Sequence, residues 1–245
     1  MMLEPWQWVL ALVGALAIGV AKTGIGGLGM LAVVVFANLL PAKQSAGFVL
    51  PMLIMADVIA VLAYQRHAQW RHLWRLFPWT VLGVLLGVMA MGRINNQQAA
   101  VLIGGIVLSL MVVHMVRRSG ANKAEPEHAR WFAPTIGILA GFTTLVANAA
   151  GPLMVIYLLA MRLPKMEYMG TGAYYFLLLN LFKVPFMIYL GLITPGSFTG
   201  NLLLAPAGLA GALIGKKILK HIEQRHFENI TLVLAAIAGI RLLVF

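Results

Sequence analysis

The chain has 245 residues, of which 61% are hydrophobic and 10% charged, with a mean hydropathy of +0.90. A soluble domain carries about 25% charged residues, so this composition excludes a water-covered globular domain, and the lack of any cysteine excludes disulfides, Cys metal sites and thiol catalysis. The net charge of +11 raises nucleic acid as a partner, which makes the placement of the charges the next question.

In chain order, the N-terminus does not read as a cleaved signal, because its one early charge is Glu4 where a signal peptide carries a basic region. Residues 6–21 and 25–40 read as a hairpin of two short helices broken at Lys22-Thr23-Gly24, followed by spans at 44–64, 76–92 and 97–116. After a linker at 119–129 the plan returns, with a broken hairpin at 131–147 and 151–161 and spans at 168–190, 199–215 and 227–243. The halves, 1–118 and 130–245, also repeat each other at a spacing of about 123 residues. Gly14 falls on Gly137, Leu16 on Leu139, Leu40-Pro41 on Leu163-Pro164, Gly47 on Gly170 and Asp57 on Asn180. With one residue of slippage, Gly87, Arg93 and Ile94 meet Gly211, Lys217 and Ile218.

A hairpin returns to the side it entered from, so each half crosses the bilayer three times net and the second half sits upside down relative to the first. The charges test this independently. One side receives Arg66, Arg71, Arg75, Arg117, Arg118, Lys123, Arg130, Arg162, Lys165, Lys216, Lys217, Lys220 and Arg225; the other receives Lys43, Arg93 and Arg241. That bias makes the loaded side cytoplasmic and places both termini outside. The fold expectation is an all-α polytopic protein of the inner membrane, built from two inverted four-helix repeats that each start with a glycine-broken hairpin. Topology and anionic lipid account for the basic excess, and nucleic-acid binding is not needed. In the loop 65–75, Trp70 and Trp74 stand four apart among basic residues, which predicts a short helix lying in the membrane interface.

A membrane protein of two similar halves is most often a transporter with its site at their seam. The segment Lys22-Thr23-Gly24-Ile25-Gly26-Gly27-Leu28-Gly29 formally contains Gly-x-Gly-x-x-Gly, but no strand precedes it, so a dinucleotide site is rejected. Glycines let the backbone leave the helix. The unwound stretch must then be buried in protein or line a wet cavity, and the following helix start aims N–H groups and a positive dipole end at it. Lys22 adds a charge and Thr23 a hydroxyl, which makes this a candidate anion site; the alternative is a tight turn with Lys22 reaching to the interface. The equivalent break spans Thr143 to Pro152, where Thr144 and Asn148 are neutral ligands or interhelical hydrogen-bonding groups. Lys22 aligns with Leu145, so the positive charge lies mainly on one break.

Asp57 stands seven residues before Tyr64, about 10 Å from the span end at 1.5 Å per residue. It is either paired with a cation, Lys22 being a candidate, or carries a proton during a cycle. Asn180 takes its place in the second half. Lys183 lies one turn later, free to serve a substrate or to snorkel outward. Tyr174, Tyr175 and Phe176 either line a pocket or contact lipid and core. The six histidines show no metal-ligand spacing and no nucleophile–base set suggests catalysis, so neither metal, cofactor nor enzyme activity is expected.

AKTGIGGLGMLAVVVFANLLPAK followed by LPMLIMADVIAVLAYQRHAQWRHLWRLFPW, with GPLMVIYLLAMRLPK and YYFLLLNLFKVPFMIYLGLIT in the second half, resembles the TauE/SafE family, also called the 4-toluene sulfonate uptake permease family. The resemblance covers essentially the whole chain and implies transport of small sulfur-containing anions such as sulfite, sulfoacetate or arylsulfonates, in either direction. The Lys22-Thr23-Gly24 break differs from the more glycine- and proline-rich form common in that family. The reading is therefore a secondary transporter for a small organosulfur anion. Lys22, Thr23, Gly24, Gly26, Gly27, Thr144, Asn148, Asn180 and Lys183 are its candidate substrate residues, and Asp57 is its coupling or gating group. Protons, membrane lipid and a second copy of the chain are candidate partners. An anion channel and a non-transporting membrane assembly partner are the alternatives.

Overall fold

The computed structural model describes residues 4–25, 28–29, 32, 35–36, 39–40, 42–91, 93, 95, 97–98, 105, 108 and 130–244. Among them eight α-helices are found and no strand: α1 (Pro5–Thr23), α2 (Ala42–Tyr64), α3 (Trp70–Met91), α4 (Phe132–Ala147), α5 (Gly151–Ala160), α6 (Lys165–Tyr189), α7 (Pro195–His221) and α8 (Gln224–Val244). The chain is an all-helical polytopic membrane protein: α1, α2, α3, α6 and α7 are each long and apolar enough to cross a membrane. The 16-residue α4 and the 10-residue α5 are not, since a span needs about 20 residues at 1.5 Å each. They meet end to end at the second expected break. The counterpart helix at 25–40, the span at 97–116 and the linker at 119–129 lie largely or wholly outside the described residues. Asn95 and Gln98 do form a reciprocal cap, Gln98 N–H donating to Asn95 Oδ1 at 2.7 Å, where that span was expected to begin.

Local chemistry explains the helix ends. Glu4 caps α1 in a reciprocal box with Gln7, and Pro5 occupies a first-turn position where its missing N–H is no loss. Thr194 does the same for α7 with Ser197, ahead of Pro195. Trp70 to Arg75, expected as a separate interfacial helix, instead form the first turns of α3 after a 3₁₀ turn at Gln65–His67. Nothing breaks the helix between Arg75 and Leu76, and Pro78 sits close enough to the start that the carbonyl it frees lies near the helix end. Trp70 and Trp74 stay exposed and stack on each other with centroids 6.4 Å apart.

Packing relates the halves. By the 123-residue offset α1 corresponds to α4, α2 to α6 and α3 to α7. Helix α1 runs parallel along α7, where a Cβ on Gly211 would strike the Leu16 carbonyl, and α4 runs parallel along α3, where a Cβ on Gly141 would strike the Thr80 carbonyl. These are the same pair with the halves exchanged. Helices α2 and α6 are antiparallel neighbours. The start of α2 at Gly47 abuts Leu192 just beyond α6, and the start of α6 at Gly170 abuts the Tyr64 carbonyl at the end of α2. Midway between these contacts, Asn180 Nδ2 donates to Asp57 Oδ2 at 2.7 Å, across a sequence separation of 123. Positions that correspond in the repeat therefore touch at the centre of the molecule.

The surface is inverted relative to a soluble protein. Leu62, Met89, Leu202 and Leu213 are exposed, while Thr23, Asp57, Thr143, Thr144, Asn180 and Lys183 are all buried to within 3%. Lipid-facing apolar side chains and an inward polar set are what a hydrocarbon solvent selects.

Candidate functional site

Helix α1 runs two residues beyond its expected end and carries Lys22 and Thr23 in its last turn. The backbone leaves helical geometry at Gly24 (φ −127°, ψ −75°), whose N–H closes the helix onto the Val20 carbonyl at 2.8 Å. A Cβ there would press on the Gly215 backbone of α7 at 2.8 Å, so close approach as well as backbone freedom requires glycine. Thr23 fastens this end. Its Oγ1 lies 2.6 Å from the Ala212 carbonyl of α7 and 3.1 Å from that of Gly19, and its own carbonyl accepts from Tyr64 Oη at 2.5 Å. Gly26 and Gly27 lie outside the described residues.

Lys22 turns inward from this break. Its Nζ stands 2.7 Å from Asp57 Oδ1 and 3.9 Å from the centroid of the Phe176 ring. Asp57 is fully buried and is held from the other side by Asn180. Of the two fates open to Asp57 in the sequence, pairing with a cation is the one realised in this conformation, and Lys22 is the cation.

The second break begins where Asn148 ends α4 in the left-handed region (φ 52°, ψ 30°), a conformation Asn tolerates better than most residues. Its N–H returns to the Thr144 carbonyl at 3.0 Å, and Pro152 sits in the first turn of α5. The side chain is divided between partners: Nδ2 donates to the Ala46 carbonyl at 3.0 Å, and Oδ1 accepts from Lys183 Nζ at 2.6 Å. Lys183 Nζ also donates to Thr144 Oγ1 at 3.2 Å. Lys183 is fully buried. It does not snorkel outward but reaches from α6 to the second break, and its hydrogen-bond partners are neutral.

Between the breaks lies a cavity of about 80 Å³, lined by Lys22, Thr144, Asn148 and Asn180 and otherwise mainly by apolar groups that include Leu53, Met154, Leu158 and Phe176. That is room for several water-sized groups. Repeat-related positions face it in pairs, Ala21 with Thr144 and Leu53 with Phe176. The structure thus brings Lys22, Asp57, Thr144, Asn148, Asn180 and Lys183 into one cluster. Thr23 and Gly24 adjoin it but turn towards α7. Of the three aromatics, Phe176 faces the cavity, Tyr175 Oη lies 3.0 Å from Thr80 Oγ1, and Tyr174 packs on Trp70 at 4.7 Å. Sequence reasoning missed Leu53, which the offset from Phe176 would have found, and Tyr64, whose capping role leaves no mark in the sequence.

The polar lining is rich in donors. Thr144 Oγ1 accepts from Lys183, which leaves its O–H to donate, and Asn148 and Asn180 have each committed one of two amide protons. Together with Lys22 these groups can surround an oxyanion with hydrogen bonds, inside an apolar enclosure that strengthens each of them.

A protein-family model described as Sulfite exporter TauE/SafE matches residues 10–242, nearly the whole chain. No curated protein and no solved structure matches it. The chain belongs to the TauE/SafE family, a family of membrane transporters.

Proposed function

We propose that this member of the TauE/SafE family is a secondary transporter, carrying a small sulfur-containing anion of the sulfonate or sulfite type through the central cavity by alternating access. The observation that carries the reading is the cavity itself. It sits where corresponding positions of the two halves meet, between two breaks, and it presents donors. On this reading residues 1–118 and 130–245 are inverted repeats joined by a cytoplasmic linker at 119–129, and both termini face away from the cytoplasm across the inner membrane. The exchange of α1–α7 packing for α4–α3 packing and the antiparallel α2–α6 pair support it, because a two-fold axis lying in the membrane plane produces that pattern.

Lys22, Thr144, Asn148 and Asn180 meet the substrate oxygens, and Lys183 supports them from behind Thr144 and Asn148. Thr23 and Gly24 shape the first break. Asp57, tied to Lys22 and Asn180, gates the site and holds the coupling proton when Lys22 is drawn to the substrate. A cavity of this size, with a few convergent polar groups, suits binding followed by rocking better than the continuous pore of a channel.

The test is thermal unfolding of the purified protein with a panel of sulfonates and sulfite. A bound anion raises the melting temperature with concentration. Wild type should respond to at least one member, and Lys22→Ala should abolish the response while remaining folded. A wild-type protein indifferent to every sulfur oxyanion at millimolar concentration would remove this substrate class.

A further inference from the structure

The glycines of this protein serve two different ends. At Gly19, Gly83, Gly141 and Gly211 an added Cβ would lie 2.1 Å or less from a backbone oxygen of a neighbouring helix, so close packing requires the missing side chain. Gly29, Gly151 and Gly172 differ, and all three line the central cavity. Among the described residues, a Cβ on Gly151 would meet nothing within 4 Å, one on Gly29 only the Ala21 Cβ at 3.7 Å, and one on Gly172 only Leu158 Cδ1 at 3.5 Å. None of the three has the left-handed backbone that favours glycine. Gly172 even stands in the interior of α6, where glycine is a poorer helix residue than alanine. What the missing side chains provide at these positions is room in the cavity.

The repeat shows the same thing from the other half. Gly172 and Ala173 correspond to Val49 and Leu50. Helix α2 fills its core with those two side chains, both buried, where α6 leaves space. The space is apolar. Asn180, and Thr144 and Asn148 beside Lys183, set the donors at the level of residues 180–183 of α6. Gly172 and Ala173 lie two turns earlier, about 10–12 Å along the helix, and line the cavity with Met154, Val155 and Leu158 of α5, all buried to within 1%. The cavity of about 80 Å³ holds roughly five to eight water-sized groups at about 10–15 Å³ each. A sulfonate head, sulfur with its oxygens, takes about four of these places, which leaves room for a chain of roughly one to four carbons.

We infer that Gly29, Gly151 and Gly172 set the specificity of the site. They keep open an apolar compartment for the ligand's uncharged substituent, and the substrate is a sulfonate with a short aliphatic chain. Sulfite, arylsulfonates and sulfonates with a second charged group are disfavoured. The inference rests on the anion-transporter reading and specifies the ligand of that same site. Each buried methylene favours the chain, an aromatic ring exceeds the room, and a second charge finds no partner in the compartment.

Calorimetry on the purified full-length protein tests it, with methane-, ethane-, propane-1- and benzenesulfonate, 2-aminoethanesulfonate and sulfite as ligands. In wild type, affinity should rise about fourfold with each added methylene, so that propane-1-sulfonate binds about tenfold or more tightly than methanesulfonate. Benzenesulfonate, sulfite and 2-aminoethanesulfonate, the last of the same length as propane-1-sulfonate, should each bind about tenfold or more weakly than it. Gly172→Ala places one methyl in the compartment at ordinary contact distance and should lower the propane-to-methane affinity ratio about fourfold. Gly151→Ala repeats the test from α5. A wild-type affinity that does not rise with chain length would overturn the compartment and leave the transporter reading standing. So would benzenesulfonate, sulfite or 2-aminoethanesulfonate binding as tightly as propane-1-sulfonate, or a ratio unmoved in both variants. A wild type that binds no sulfur oxyanion would overturn both. If a variant does not fold, the wild-type series alone decides.

Discussion

The Lys22–Asp57 pair makes the sharpest stability prediction. At 2.7 Å separation and an effective dielectric of about 20, Coulomb's law gives roughly 6 kcal/mol of attraction. Desolvation of both groups offsets much of it, and Asn180 remains bound to the carboxylate when Lys22 is removed. Lys22→Met therefore leaves a fully buried carboxylate holding one neutral donor, and such orphaned charges cost about 3–5 kcal/mol. Asp57→Asn should cost less, about 1–3 kcal/mol, because Lys22 keeps the Phe176 face and 14% of its surface open to the cavity. The double variant buries no unpaired charge and should lose no more than the worse single change. The cycle then reports a coupling of about 2–4 kcal/mol. The assay is reversible denaturation of all four proteins in one detergent, without ligand. Additive losses, with a coupling below about 0.5 kcal/mol, would show that the two charges do not stabilise one another.

Two further changes address the scaffold. At Asn148 the left-handed backbone and the amide contacts are separable: Asn148→Gly should be more stable than Asn148→Ala by about 1 kcal/mol, while both lose the acceptor for Lys183 and weaken anion binding alike. Equal stability of the two in thermal unfolding would refute a conformational role. At the α3–α4 seam, Gly141→Val forces a Cβ into the Thr80 carbonyl and should cost about 3 kcal/mol or more. Gly196→Ala, where only Thr194 Oγ1 approaches at 3.9 Å, should stay within about 0.5 kcal/mol of wild type by the same measurement.

The sequence made the centre of this molecule legible for one reason: the repeat. An offset of 123 residues aligned Asp57 with Asn180, and those two side chains hydrogen-bond each other in the fold. Helix positions followed from uncharged runs, and their ends were displaced by a turn or so wherever a polar residue such as Lys22 or Lys165 continued the helix beyond its apolar part. What stayed hidden was direction. A lysine about one and a half turns from a helix end can reach either way along its flexible stem, and hydropathy treats both outcomes alike. The choice for Lys183 is made by Thr144 and Asn148, which lie 39 and 35 residues away in sequence and arrive only because α4 stops there. The same holds for Thr23, whose hydroxyl looked like a ligand at an anion site but is directed at the Ala212 carbonyl of α7.

These two surprises have one physical origin. At each break the helix leaves carbonyls and amides that lipid cannot satisfy, and the nearest polar side chains are drawn in to satisfy them. At the first break Thr23 and Tyr64 take that role, which frees Lys22 to reach Asp57. At the second, Asn148 closes its own helix end through its backbone and so keeps its side chain for the Ala46 carbonyl, Lys183 and the cavity. Both breaks are thereby fastened to neighbouring helices, the first through Thr23 to α7 and Tyr64 of α2, the second through Asn148 to α2 and Lys183 of α6.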